Sequence, residues 1–251
     1  MADFTGTDGG LRELALFAGA GGGILGGHLL GWRTVCAVER EPYAASVLAQ
    51  RQNDGLLPAF PIWDDICTFD GRPWKELVDV VSGGFPCQDV SAAGKGAGLD
   101  GSRSGLWTQM ARVISEVRPR FAYLENSPLL IGRGLDRVLA DLASMGFNAR
   151  WGIVGAHQAG APHQRKRIWL VAYSNSLVSK TQEKCCEVNR KETNRPASGS
   201  CGPTWWDSEP LVGRVADGVA AGMDRLKVLG NGQVPACAAK AWRILTEIAD
   251  E

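Results

Sequence analysis

The sequence has no surplus of charge. Its 251 residues carry 27 Lys and Arg against 27 Asp and Glu, which excludes a generally basic nucleic-acid binder. Any site for a polyanion must then be a local patch. Long apolar runs are also missing: no stretch approaches the ~20 residues of a membrane span. Residues Met1 to Gly10 are acidic and Gly-rich, unlike a signal peptide. A cytoplasmic protein without membrane contact is expected. A disulfide framework is lacking too, because seven cysteines, an odd number scattered along the chain, fit a reducing compartment. Cys36, Cys67 and Cys237 stand in apolar runs and are expected to be buried packing residues. Cys185, Cys186 and Cys201 have no His nearby to complete a tetrahedral set, so no metal is expected. The chain has no internal repeats.

What the chain does have is ordinary globular composition, 45% hydrophobic and 22% charged, enough for one well-buried core. From Leu11 it reads as a strand over Leu14–Phe17, a glycine-rich turn over Gly19–Gly23, and a helix. A second strand (Thr34–Val38) ends on Glu39, and a helix runs from about Pro42 to Gln50. The rhythm continues with a strand at Val78–Val81, a helix over Leu106–Val117, a strand at Phe121–Leu124 and a helix near Leu135–Met145. Strands around Ala149–Ala156 and Arg167–Ala172 follow. Alternating strands and helices predict a doubly wound Rossmann-like α/β fold on a mostly parallel sheet.

After Tyr173 the character changes. Residues 174–204 are polar and without apolar period, with Lys180, Lys184, Arg190, Lys191 and Arg195 against Glu183, Glu187 and Glu192. They read as an irregular or mobile insertion. The predicted organisation is therefore one domain built from 11–173 and 205–251, with 174–204 as a very small separate lobe. Order resumes at Trp205, and residues 229–235 lead into a closing helix over Ala236–Ala249.

Two features carry chemistry. The run from Phe17 through Gly19, Ala20 and Gly22 follows a strand and opens a helix, a place where backbone approaches a nucleotide-like ligand closely. Glu39, at the tip of the next strand, is suited to accept hydrogen bonds from both hydroxyls of a ribose. Asp65, followed by Ile66, is placed to take an adenine amino group. A tight turn in any α/β protein explains the glycines nearly as well. The second feature is sharper. Gly83-Gly84-Phe85-Pro86-Cys87-Gln88 directly follows a buried strand, at the carboxyl edge of the sheet where α/β active sites lie. Two glycines and a proline there fix a rigid exposed turn. A thiol in that setting reads as a nucleophile rather than as packing.

The pattern Phe-x-Gly-x-Gly-Gly and the tripeptide Pro86-Cys87-Gln88 resemble the cytosine-5 DNA methyltransferase family. So do Gly98 to Trp107, Glu125-Asn126, Arg165-Lys166-Arg167 and Gly230-Asn231-Gly232, all in the family's order. The resemblance implies methyl transfer from S-adenosylmethionine to carbon 5 of a cytosine in double-stranded DNA, flipped out of the duplex. Cys87 would attack carbon 6 as thiolate. Glu125 would donate or share a proton near N3, with a raised pKa in a partly desolvated pocket. Arg165 and Arg167 would support Glu125 and bind the base carbonyl or a phosphate. Gln88, Ser91 and Asn126 are implied as substrate contacts, Asn126 also anchoring local backbone. Phe17, Gly19, Ala20, Gly22, Glu39, Asp65, Ile66, Pro86, Leu106 and Asn231 are implied as the cofactor pocket, with the final helix near the first strand. Asp89–Gly105 resembles a loop that closes over the flipped base.

The sequence departs from the family's pattern in places. His163 stands where Gln usually precedes the Arg-x-Arg element, Ser127 follows Glu125-Asn126 where Val is common, and Arg40 replaces an aromatic residue after Glu39. Adenine stacking then falls to Ile66. The interval between Arg167 and Gly230 is short for base-edge recognition, which needs several positioned side chains. A short or relaxed recognition sequence, or a partner that supplies recognition, is expected. Methylation of RNA cytosine and an inactive cofactor-binding subunit are the alternatives.

Overall fold

The computed structural model describes residues 10–86, 105–174 and 230–247. Strand β1 (Arg12–Leu16) is followed by α1 (Gly22–Leu29), β2 (Arg33–Val38), α2 (Pro42–Asn53), β3 (Ile62–Trp63) and β4 (Val80–Gly83). Then come α3 (Gly105–Val117), β5 (Phe121–Asn126), α4 (Leu135–Ser144), β6 (Phe147–Val154), β7 (Arg167–Ser174) and α5 (Pro235–Glu247). The sheet order is β3-β2-β1-β4-β5-β7-β6. All neighbours pair parallel except β7, which runs antiparallel to both β5 and β6. This is the doubly wound Rossmann-like fold on a mostly parallel sheet.

The inner strands are apolar almost throughout because helices cover both faces. Alternation across the sheet divides the core. Leu14, Leu16, Val81, Ala122, Leu124, Ile168 and Leu170 pack with Met110, Ile114, Val138 and Leu142 of α3 and α4. On the other face, Val80, Phe121, Tyr123, Trp169 and Val171 pack with Trp242 and Leu245 of α5. Ala15 and Ala37 meet Ile24 of α1 and Leu48 of α2. Helix α5 lies against α1 and reaches β6 and β7. Tyr123 ties it to β5 by donating its hydroxyl to the Ala238 carbonyl at 2.6 Å.

Several sequence expectations need correction in detail. Strand β1 starts at Arg12 and ends at Leu16, so Phe17 has already left the sheet, at φ 51°. Strand β4 spans Val80–Gly83 rather than 78–81, because Asp79 is engaged by Arg12 at 2.9 Å before the ladder begins. Strand β6 starts at Phe147, with that side chain filling the core beside α4. Cys67 is exposed, unlike Cys36 and Cys237. Its backbone N–H donates to Asp65 in the turn after β3, while Ile66 and Phe69 take the core positions around it. The insertion beyond Ser174 and the loop Asp89–Ser104 lie outside the described residues. No described helix is long and apolar enough to cross a membrane, and no cluster of three metal-ligating residues occurs among the described residues.

Candidate active site

The order reversal between β1 and β4 opens a crevice at their carboxyl ends. Because β7 runs antiparallel, its first residue, Arg167, belongs to this same edge. Four sets of side chains converge there.

Glu125 and Asn126 end β5 and point to opposite faces of the sheet. Asn126 donates through Nδ2 to the Phe85 carbonyl at 3.1 Å and accepts from the Ser127 N–H at 2.7 Å. It therefore clamps the turn that leads into Pro86. The Phe85 ring is itself buried against Trp107 of α3, with ring centroids 5.2 Å apart. Trp107 is fixed in turn by donating Nε1 to Asp141 at 2.7 Å. Cys87 follows Pro86 directly and, with Gln88 and Ser91, lies outside the described residues.

Glu125 is buried, and Arg167 Nε meets its Oε1 at 3.0 Å. Its other oxygen faces the turn after β4. A Cβ added to Gly84 would stand 2.6 Å from Glu125 Oε2 and 3.0 Å from Gln233 Nε2. Only glycine allows the backbone so near the acid. Burial raises the pKa of Glu125, and it prevails over the opposing pull of Arg167, Arg165 and a hydrogen bond from the Gln233 side chain. A carboxyl whose pKa is raised by burial while two guanidinium groups face it is suited to general acid chemistry.

Arg165 has a separate task from Arg167. Its backbone sits at φ 23°, a strained conformation for a residue with a side chain. Its Nη2 donates to the Gly230 carbonyl at 2.8 Å and the Gly232 carbonyl at 2.5 Å. Arg165 thereby fastens the segment before α5 onto the strand that carries Arg167. Asn231, between those two carbonyls, is exposed.

At the end of β2 the Glu39 carboxylate is held by backbone: Gly19 N–H reaches Oε2 at 2.6 Å, and Glu41 N–H reaches Oε1 at 2.7 Å. The Ala20 carbonyl accepts from Arg51 at 2.5 Å, which pins the turn between β1 and α1 to α2. Gly22 opens α1 beneath the segment before α5, where an added Cβ would be 2.1 Å from the Gln233 carbonyl oxygen. Beyond β3, the Cys67 N–H holds Asp65 below the ordinary carboxylate range. Ile66 is only 4% exposed, packed in the core with its carbonyl taken by Arg112 at 2.7 Å, so it presents little more than an edge to a ligand. Pro86 is exposed and Leu106 half-buried at the start of α3.

The structure brings Glu125, Arg167, Asn126, Glu39 and Gly19, all named from the sequence, to one edge of the sheet, and adds Gln233, which the sequence reading does not name. The only hint of that residue was its place two positions after Asn231, since its contacts with Gly22, Gly84 and Glu125 are all long-range.

Comparison with known proteins identifies the family. The family model described as C-5 cytosine-specific DNA methylase matches residues 11–208. Type II methyltransferase M2.BsuMI from Bacillus subtilis (strain 168) is 34% identical over 170 residues, covering 64% of this chain and 42% of the relative. Type II methyltransferase M.Eco47II from Escherichia coli is 33% identical over 176 residues, covering 66% and 40%. The matched stretch thus spans about two fifths of each relative's length. Among solved structures, the S. pombe Dnmt2 methyltransferase superposes with a TM-score of 0.53 at 23% identity, over 66% of this chain and 50% of that one, and shares the fold. With a family match that runs through β1, β4, β5 and β7, this chain belongs to the C-5 cytosine-specific DNA methylase family.

Proposed function

We propose that the protein transfers a methyl group from S-adenosylmethionine to carbon 5 of a cytosine in double-stranded DNA, through a covalent adduct of Cys87 with the flipped base. The observation that supports this most is the Glu125–Arg167 pair packed on Gly84, just upstream of Cys87.

The residues at the carboxyl edge suit the cofactor. Each oxygen of Glu39 takes one backbone N–H and keeps a lone pair for a ribose hydroxyl. Asp65, ionised and at the tip of β3, is an acceptor for the adenine amino group. Phe17, Gly19, Ala20 and Gly22 form the turn beside them, and Pro86, Leu106 and Asn231 line the remainder. When bound, S-adenosylmethionine supplies an electrophilic methyl group.

The chain's own groups handle the base. The Cys87 thiolate adds to carbon 6, and the ring electrons move toward N3, where protonated Glu125 donates its proton. Arg167 holds Glu125 in place, and Arg165 keeps the segment from Gly230 to Gly232 against them. Carbon 5 of the resulting enamine would take the methyl group as its bond to sulfur breaks, with S-adenosylhomocysteine as the leaving group. A base such as water then removes the carbon-5 proton, the returning electrons expel the thiolate and restore the ring double bond, and N3 gives its proton back to Glu125. Asn126 keeps the Phe85–Pro86 turn, and so the start of the Cys87 loop, in register with Glu125.

Incubation with labelled S-adenosylmethionine and unmethylated genomic DNA, followed by bisulfite sequencing, tests this. Label in DNA, protected cytosines in one sequence context, and loss of both in Cys87→Ser are expected. No transfer, transfer untouched by Cys87→Ser, or transfer to RNA alone overturns it.

A further inference from the structure

We infer that Gln233 is a positioning residue of the methyl-transfer site, one side-chain amide that holds Glu125 from α5's approach and seats it against the cofactor turn. This rests on the role proposed for Glu125.

The geometry has three parts. First, the two oxygens of Glu125 are held separately. Oε1 takes Arg167 at 3.0 Å, whereas Oε2 and Gln233 Nε2 crowd the same point beside Gly84, 2.6 Å and 3.0 Å from a Cβ built there. The Gln233 side chain hydrogen-bonds the Glu125 carboxyl. Second, the other end of the amide touches α1: a Cβ on Gly23 would lie 2.4 Å from Gln233 Oε1. Third, the Gln233 carbonyl covers Gly22, so main chain and side chain together bridge the first turn of α1 to the acid. Arg165 fixes the backbone just upstream through Gly230 and Gly232. A side chain packed against α1 at one end and bonded to the acid at the other is pre-organised, and its hydrogen bond restricts where the Glu125 carboxyl can sit.

Among the described residues, the charged or titratable groups around Glu125 are Arg167 on β7, Arg165 just before it, and Tyr123 on the same face of β5. Cys237 on α5 and Glu13 on β1 approach through Tyr123, and Cys237 also neighbours Arg165. Gln233 is the neutral donor in this set. Its removal should therefore let burial push the Glu125 pKa further up, whereas loss of a mere packing residue would not.

The test is carbon-13 NMR of glutamate-carboxyl-labelled protein titrated with pH, the Glu125 signal being assigned by Glu125→Gln. In Gln233→Met, of equal length but without a donor, the Glu125 midpoint should rise by about one pH unit, the weight of one hydrogen bond to a charged group. Methyl transfer in the same variant should fall at least tenfold in kcat with KM for cofactor little changed. If Gln233→Met does not fold, Gln233→Asn, one methylene short, is read in its place and should show the same upward shift. An unmoved Glu125 midpoint in the folded variant overturns the inference. So does a raised cofactor KM with unchanged kcat, which would confine Gln233 to packing on α1. The NMR arm needs no turnover: a shifted midpoint in a protein that methylates no DNA would sink the proposed reaction alone.

Discussion

Arg167 meets Glu125 on the diagonal of one sheet face. Glu125 is registered with Trp169, and Arg167, two residues earlier on β7, reaches back to Oε1 at 3.0 Å. The reversed direction of β7 makes this possible, since it brings the start of that strand to the edge where β5 ends. Removing Arg167 leaves a buried carboxyl with less opposition to its desolvation, so its pKa rises further. A raised pKa means the folded state holds more protons than the unfolded chain. That contribution is fully present below the ordinary value of 4.5 and is lost as pH climbs through the folded value. Arg167→Met should therefore lose more stability at about pH 8 than at about pH 5, up to ~3 kcal/mol at the higher pH. Urea unfolding at both values checks it, and equal losses would contradict the pairing.

Gly84 is the residue whose replacement strikes the acid most directly. Alanine there puts Cβ 2.6 Å from Glu125 Oε2, a distance that forces the carboxyl or the turn to move. Displacing a catalytic group by an ångström costs on the order of 100-fold in rate. Gly84→Ala should lose that much methyl transfer, with a stability loss of ~1–3 kcal/mol. Activity within threefold of the wild type would show that Glu125 is not held against this turn.

Glu39 binds backbone N–H groups with both oxygens, from Gly19 and from Glu41. A glutamine offers only one acceptor oxygen, so its NH2 must face one of those N–H groups, donor against donor. Glu39→Gln should weaken binding of S-adenosylhomocysteine at least tenfold by calorimetry, about 1.4 kcal/mol, while the protein stays folded. Unchanged affinity would remove Glu39 from the cofactor pocket.

Glu13 lies wholly inside the sheet, taking Ser82 Oγ at 2.6 Å and Thr34 Oγ1 at 2.7 Å. Burial pushes its pKa up to about 7 against the two hydroxyl donors. The sign follows as for Glu125: stability from this group is full below 4.5 and lost as pH rises to about 7. Glu13→Gln abolishes that dependence, and either hydroxyl can rotate to accept from the new NH2. Between about pH 5 and pH 7.5 the wild type should lose on the order of 1–3 kcal/mol more stability than the variant. Denaturant midpoints at both values decide it, and parallel curves would contradict a neutral Glu13.

The alternation of apolar strands and helices was legible because each inner strand is covered on both faces. Glu125, Asn126 and Arg167 could be read because each lies in a short local pattern next to its strand. β3 has two residues, too few to display a period, so the sequence does not announce it as a strand. Cys67 is exposed because a turn, not a strand, carries it, and the nearby apolar Ile66 and Phe69 say nothing of which way a turn residue points. Gln233 stayed hidden for a different reason: its meaning comes from Gly22, Gly84 and Glu125, brought together only when α5 closes onto α1.

The most direct test of the proposed chemistry is covalent trapping. DNA substituted throughout with 5-fluorocytosine is incubated with the protein and S-adenosylmethionine, then resolved under denaturing conditions and weighed by mass spectrometry. Fluorine at carbon 5 blocks the final proton removal, so the thiolate cannot be expelled. A denaturation-stable protein–DNA adduct, dependent on S-adenosylmethionine and mapped to Cys87, is predicted. Methyl transfer to ordinary DNA without any such adduct, or an adduct that persists in Cys87→Ser, would contradict Cys87 as the nucleophile.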